Sequence, residues 1–250
     1  SEHVINYLGE LTEQEIVALK KEFSKKEKMK VRLISYSKPV DMIGIDNAED
    51  LVAYCARVSN PDNQINNETS TKLLKYLIRE NHWSPFEMVS ACLEIETTRD
   101  IARQILRHRS FSFQEFSQRY ANPDDALGWD QREARLQDTK NRQNSIETDD
   151  NALQQKWFGQ QDLVKLQAVK AYNWALERGI AKEQARAVLP EGLMKSRLYM
   201  NGTLRSWIHY IDLRKTNGTQ KEHMEIAKAC GEEIIKIFPF AEGWFYPSGR

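Results

Sequence analysis

Apolar positions recur along the chain in two rhythms, one suited to helices and one to strands. Residues 11–28 read as a short charged helix outside the main fold, and the first strand rhythm follows at Lys30-Val-Arg-Leu-Ile-Ser-Tyr36, so the globular domain is expected to begin near Met29. Leu51, Val52 and Cys55 share one stripe and predict a helix over 47–57; a second is predicted over 71–80, with an Asn- and Asp-rich loop at 60–67 between them. After Ser84-Pro85 the run from Met88 to Thr97 alternates as a half-buried strand does, and Asp100 is placed to cap a helix through Arg107. Residues 121–150 carry few apolar side chains and are expected to form a long excursion at the surface or at a subunit contact. Helical periodicity returns over 163–178, where Gly179 supplies a stop, and three further helices are predicted over 183–188, 203–214 and 221–238. Few strands and many helices in mixed order predict an α+β fold rather than a βαβα series.

A chain of 250 residues buries roughly 70 to 75% of the surface its unfolded form exposes, enough for one large core. Lys plus Arg and Asp plus Glu both total 36, so no overall field draws the chain to nucleic acid or to a membrane surface, and any anion site must be local. A mean hydropathy of −0.66, with no apolar run near the ~18 residues of a membrane span, predicts a soluble protein. The first 29 residues are charged and lack the apolar core of a secretory signal. Cys55, Cys92 and Cys230 are odd in number and never paired as Cys-x-x-Cys. They are expected to be buried structural thiols in a reducing cytoplasm, which disfavours a cysteine nucleophile.

The chemistry concentrates between Arg99 and Arg119, where five arginines face two acids in a chain of zero net charge. In the helix near Asp100, Ile101, Ala102, Ile105 and Leu106 make the buried stripe, whereas Gln104, Arg107 and His108 stand at i, i+3 and i+4 on another face that can grip a ligand. The following Ser-Phe-Ser-Phe-Gln-Glu-Phe-Ser-Gln-Arg-Tyr120 has aromatics two apart. If extended, it projects Glu115, Ser117 and Arg119 to one side, a wall of carboxylate, hydroxyl and guanidinium. An arginine-rich surface helix followed by an aromatic core loop is the plain alternative. There is no Gly-x-Gly-x-x-Gly and no Walker motif, so arginine forks must hold any phosphate.

Arg107-His108-Arg109, seven residues, then Ser117 with Gln118-Arg119-Tyr120 resembles the signature of the flavin-dependent thymidylate synthases. The similarity extends to Arg57-Val-Ser59, His82-Trp-Ser-Pro-Phe-Glu87, Glu183-Gln-Ala-Arg186 with Leu189-Pro190, and Thr203-Leu-Arg205 through Arg214. It covers most of the chain from about residue 30, so the expected division is an N-terminal extension, 1–29, and one domain, 30–250. The resemblance implies a small, mainly antiparallel sheet surrounded by helices.

It also implies roles. Tightly bound FAD would meet Ser59, His82, Ser84, Arg107, His108, Arg109, Glu115, Thr203, Arg205 and His209; the family more often carries Asn at the place of Thr203, and often at that of His209. The dUMP substrate would meet Gln104, Arg107, Glu115, Ser117, Gln118, Arg119, Arg186 and Arg214. Ser117 lacks an adjacent base and is assigned to binding rather than attack. His108 between two arginines should resist protonation and act as a neutral donor. His82 is either a helix-end cap or part of the folate and nicotinamide face, and Arg205 with His209 either a surface pair or a flavin contact.

Arg214 continues the Leu204, Trp207, Ile208 and Ile211 stripe, and is either snorkelling or buried against a charged partner. The resemblance makes it catalytic, helping to ionise the uracil N3. The implied reaction converts dUMP to dTMP with NADPH as reductant and 5,10-methylenetetrahydrofolate as carbon donor, in a cytoplasmic homotetramer whose sites draw on several chains. Two rivals remain open: a single-stranded RNA binder using Arg107, Arg109 and Arg119 with Phe111, Phe113, Phe116 and Tyr120, which neutral net charge disfavours, and a metal-free phosphoester hydrolase using His108, which lacks a second titrating partner.

Overall fold

The computed structural model describes residues 30–246 apart from residue 217 and the Met42 side chain. The helix expected over 11–28 lies outside the described residues. Four strands form an antiparallel sheet in the order β1 (Lys30–Tyr36), β2 (Ser90–Thr98), β6 (Lys195–Thr203), β3 (Ser112–Glu115). A separate pair, β4 (Arg135–Gln137) and β5 (Ser145–Glu147), stands apart from it. The long helices are α1 (Ala48–Ala56), α2 (Ser70–Arg79), α3 (Arg99–Ile105), α4 (Asn151–Glu177), α5 (Leu204–Arg214) and α6 (Lys221–Ile237).

Period-two alternation decides which face of the sheet is covered. Ala91, Leu93 and Ile95 of β2 and Leu198 and Met200 of β6 point into the core beside Trp207, Phe86 and Ile101, all essentially inaccessible. Each such side chain contributes roughly 1.5–3 kcal/mol through burial. The opposite face carries charge: Glu94 accepts from Arg32 at 2.9 Å and from Tyr199 at 2.8 Å, and Arg197 pairs with Glu96. Helix α6 closes the core with His223, Ile226, Ala227, Cys230 and Ile234 on its buried side. A second, smaller cluster joins Tyr172 and Ala175 of α4 to Ala185, Leu189 and Met194.

The α+β reading and the predicted long elements hold, with three corrections. Asp100 does not cap α3: Thr98 is the N-cap residue, and the Asp100 carboxylate is turned sideways to accept from Thr98 Oγ1 at 2.7 Å and Arg132 Nη2 at 2.6 Å. The helix also ends at Ile105, not at Arg107. Second, α4 starts at Asn151, twelve residues before the expected 163, because Asp150 accepts from the Leu153 amide and caps it. The 121–150 excursion, whose conformation the sequence left open, holds a helical turn, Pro123–Ala126, and the β4–β5 pair. Third, only Cys230 is fully buried; Cys55 and Cys92 are half-buried, though burial pushes all three thiols up and leaves them poor nucleophiles. Strand β6, which has no counterpart among the predicted elements, is paired on both sides. Among the described residues no helix is long and apolar enough to cross a membrane.

Gly202 in β6 lies against Phe111, and a methyl there would approach two ring carbons under 3.0 Å. Gly202→Ala is therefore expected to destabilise the fold by about 1–3 kcal/mol through overpacking, read as a lowered Tm; an unchanged Tm would show that the ring moves freely.

Candidate active site

Helix α3 closes with the Leu106 amide bonded to Ala102, after which the backbone tightens: the Arg107 amide reaches Gln104 and the His108 amide reaches Ile105. This turn lies along one stripe of α5, formed by Ser206, Tyr210 and Arg214 at i, i+4 and i+8. Ser206 Oγ donates to the Ser110 carbonyl at 3.2 Å. The His108 ring stands edge-on to Tyr210 at 4.8 Å, and Arg214 Nε donates to His108 Nε2 at 3.0 Å. Phe111 then anchors the turn in the core against Trp207. Early termination of α3 is thus what brings the Arg-His-Arg triplet to Arg214.

That contact fixes the state of both partners. A nitrogen that accepts from a guanidinium carries no proton, so His108 is neutral with its hydrogen on Nδ1, free to donate. Burial, then Arg214, then Arg107 lower its pKa to about 4. No carboxylate among the described residues pairs with Arg214, which is half-buried, so it is not buried against a charged partner. Its bonded partner is a neutral imidazole, and its terminal nitrogens keep their hydrogens and the full charge.

Beneath this pair runs a polar chain that sequence reasoning missed. Tyr210 Oη and His223 Nε2 are 3.1 Å apart, His223 Nδ1 and Gln104 Oε1 3.2 Å, and Gln104 Nε2 donates to Gln220 Oε1 at 2.8 Å. His223 has no solvent exposure. Burial, then Arg214 and His108, lower its pKa to about 3, and burial raises the Tyr210 phenol so that it keeps its proton. The available signal was a histidine in the apolar stripe 223, 226, 227, 230, 234 of α6, where only a hydrogen-bonded imidazole is tolerated.

The remaining candidates fall into separate groups. Arg107 and Arg109 are exposed and Arg186 half-buried, each without an ion-pair partner among the described residues. Strand β3 ends at Glu115, so Ser117 and Arg119 do not continue a period-two wall; they sit in a turn closed by the Tyr120 amide on the Ser117 carbonyl. Glu115 accepts from Ser196 Oγ at 2.8 Å and pairs with Arg103 at 3.2 Å, and so is bonded away from the triplet. Arg119 lies 3.7 Å from Glu183, whereas Gln118 is buried with its Nε2 lacking any partner.

On α5, Thr203 is the N-cap and accepts from the Ser206 amide. Arg205 pairs with Glu87 at 2.6 Å, and the His209 ring meets Trp83 at 4.4 Å, which joins the 82–87 segment to this helix. His82 is exposed, follows Asn81 in a left-handed conformation (φ 58°), and bonds its backbone amide to the Leu77 carbonyl just beyond α2, whose C-cap is Glu80. Ser84 is exposed at the start of a short turn, and Ser59 is exposed just beyond α1. Among the described residues no cluster of His, Cys, Asp or Glu could hold a metal.

The two depressed histidines make stability depend on pH. An unfolded His takes up its proton near 6.5, whereas folded His108 holds off until about 4. Stability is thus complete above 6.5 and is lost as pH falls toward about 4. Wild type and His108→Gln, compared by thermal unfolding, should therefore differ most steeply in that window. A difference that does not change with pH would show that His108 does not titrate as its surroundings demand.

Residues 32–240 match the family model described as thymidylate synthase complementing protein (Thy1). A probable flavin-dependent thymidylate synthase of Paramecium bursaria Chlorella virus 1 is 54% identical over 211 residues, 84% of this chain and 96% of the relative. A flavin-dependent thymidylate synthase of Synechocystis sp. is 52% identical over 214 residues, with the same two coverages, 84% and 96%. Among solved structures, a UMP/dUMP methylase, PolB, from Streptomyces cacaoi bound with 5-Br dUMP superimposes with a TM-score of 0.72 at 25% identity, covering 88% of this chain and 95% of that one. Motif, fold and relatives agree, and the chain belongs to the flavin-dependent thymidylate synthase family.

Proposed function

We propose that this protein methylates dUMP to dTMP as a flavin-dependent thymidylate synthase, with 5,10-methylenetetrahydrofolate as carbon donor and NADPH as reductant. The observation that carries the reading is the half-buried Arg214 guanidinium bonded to a neutral His108 and to no acid among the described residues. Beside a bound uracil, such a charge favours the N3 anion and so makes C5 electron-rich enough to attack a one-carbon unit. Its orientation is fixed before the substrate arrives, which is what makes electrostatic stabilisation effective.

The residues present fit a flavin and a nucleotide. Arg107, Arg109 and Arg186 keep their charge uncompensated among the described residues, His108 offers Nδ1–H, and Gln118 holds a buried donor without a partner. FAD, when bound, supplies the hydride that completes the methyl group. We assign Arg107, His108, Arg109, Ser59, His82, Ser84, Glu115, Thr203, Arg205 and His209 to holding it. Gln104, Arg107, Glu115, Ser117, Gln118, Arg119, Arg186 and Arg214 are assigned to dUMP. Ser117 orients the pyrimidine rather than attacking it, because among the described residues its hydroxyl accepts from the Arg119 amide and is bonded to no base.

The separation of these residues into groups within one chain supports assembly of the site in a homotetramer. So does the exposed apolar stripe Leu153, Trp157 and Val164 of α4. We assign catalysis to residues 30–250, with 1–29 as an extension, and the free cysteines favour a cytoplasmic setting. The relatives cited are named for thymidylate or nucleotide methylation, and none for RNA binding.

Purified protein is expected to be yellow, with a flavin spectrum that bleaches when NADPH is added under nitrogen; a colourless protein that takes up no FAD would overturn the proposal. Arg214→Ala should lower dTMP formation on the order of 10²–10³-fold while the flavin spectrum is retained, and unchanged turnover would remove Arg214 from catalysis.

A further inference from the structure

The polar chain under the site has a direction, and its far end sets it. Gln220 Nε2 donates to Glu222 Oε2 at 2.9 Å, and Arg135 Nη2 donates to the other oxygen of the same carboxylate. An ionised carboxylate only accepts, so Gln220 must present its amide nitrogen to Glu222 and its oxygen to Gln104. Gln104 must then give nitrogen to Gln220 and turn its own oxygen to His223. His223 in turn must carry its hydrogen on Nδ1, leaving Nε2 to accept from the Tyr210 hydroxyl. Reversing any one amide would set two oxygens face to face at Glu222 or leave a buried donor unpaired, at the cost of a lost hydrogen bond inside the protein.

Gln104 is half-buried, and its Nε2, which gives one hydrogen to Gln220, carries a second that it can still donate. We propose that Glu222 and His223 are positioning residues: together they fix the Gln104 amide so that it turns a second N–H, not its carbonyl, toward an oxygen of the bound nucleotide. The inference rests on the reading above that Gln104 meets dUMP. It adds two residues of α6 and the β4 residue Arg135 to the apparatus that orients the substrate, although none of the three need touch it. It also gives the histidine a reason for full burial: a solvated imidazole would exchange tautomers and release the amide.

The test uses the full-length, FAD-loaded protein and measures dUMP dissociation by titration calorimetry beside steady-state KM and kcat. Glu222→Gln keeps the shape of the side chain but can donate as well as accept, so the chain loses its direction. It should raise Kd and KM for dUMP on the order of tenfold while kcat at saturation stays within about twofold. Glu222→Asp, which keeps the acceptor-only carboxylate, should recover most of the affinity. His223→Phe should weaken dUMP as Glu222→Gln does.

Gln104→Ala separates the two levels of the reading. If Gln104→Ala binds dUMP weakly but Glu222→Gln binds it normally, the positioning chain is overturned and the nucleotide assignment stands. If Gln104→Ala itself binds dUMP normally, both fall. Glu222→Asp and Glu222→Gln being equally weak would reduce Glu222 to a packing role and overturn the proposal as well.

Discussion

The charge of Arg214 is left uncompensated because the group that holds it is neutral. A guanidinium at a helix end in a half-buried position ordinarily finds a carboxylate, and the pair then cancels much of the field either could project. Here Nε is spent on an imidazole whose own protonation is suppressed by burial and by two arginines. The arrangement reinforces itself: the nearer Arg214 lies, the less His108 protonates, and the more firmly it accepts. Its cost is that positive charges crowd where no acid among the described residues relieves them, and a bound anion is the natural compensation. Everything that shapes the neighbourhood serves this contact, from the early end of α3 to the anchoring of Phe111 against Trp207.

The long elements were legible because their apolar periods are regular. Helices α1, α2, α5 and α6 and strands β1 and β2 show their buried positions directly in sequence. Strand β6 escaped because only Leu198 and Met200 mark its inner face; Gly202 completes that face without a side chain, since the space is taken by Phe111. A residue that must be absent leaves no hydrophobic signal.

The first turns of α4 were illegible for a different reason. Residues 151–162 are polar because several serve the excursion before them: Gln154 donates to the Ala134 carbonyl, Gln161 bonds both the amide and the carbonyl of Arg132, and Asp162 accepts from Gln131. These glutamines satisfy a backbone that has no sheet to join. Their polarity, which interrupts the apolar period of a helix, is the means by which α4 holds the excursion down. The candidate site shows the same division: Arg107, His108, Arg109 and Arg214 were readable from motif and stripe, while His223 was hidden in a core stripe as if it were one more apolar residue.

Held in this way, the excursion becomes a neighbour of the substrate apparatus. Arg135 and Glu133 of this segment bond to Glu222 and Lys221 at the start of α6, and the next residues inward are Gln220 and His223, both bonded to Gln104. The Glu133–Lys221 pair is exposed enough that salt screens it and alone it adds little stability, whereas Arg135 and Glu222 keep only 10% and 15% of their side chains exposed. Their position gives them a different value. At the head of a hydrogen-bond chain, a charge need not contribute much energy to settle direction, because each amide further in has only two orientations and the carboxylate accepts only one of them. Segment 121–150, unremarkable in composition, thus bears on the chemistry through order rather than through strength.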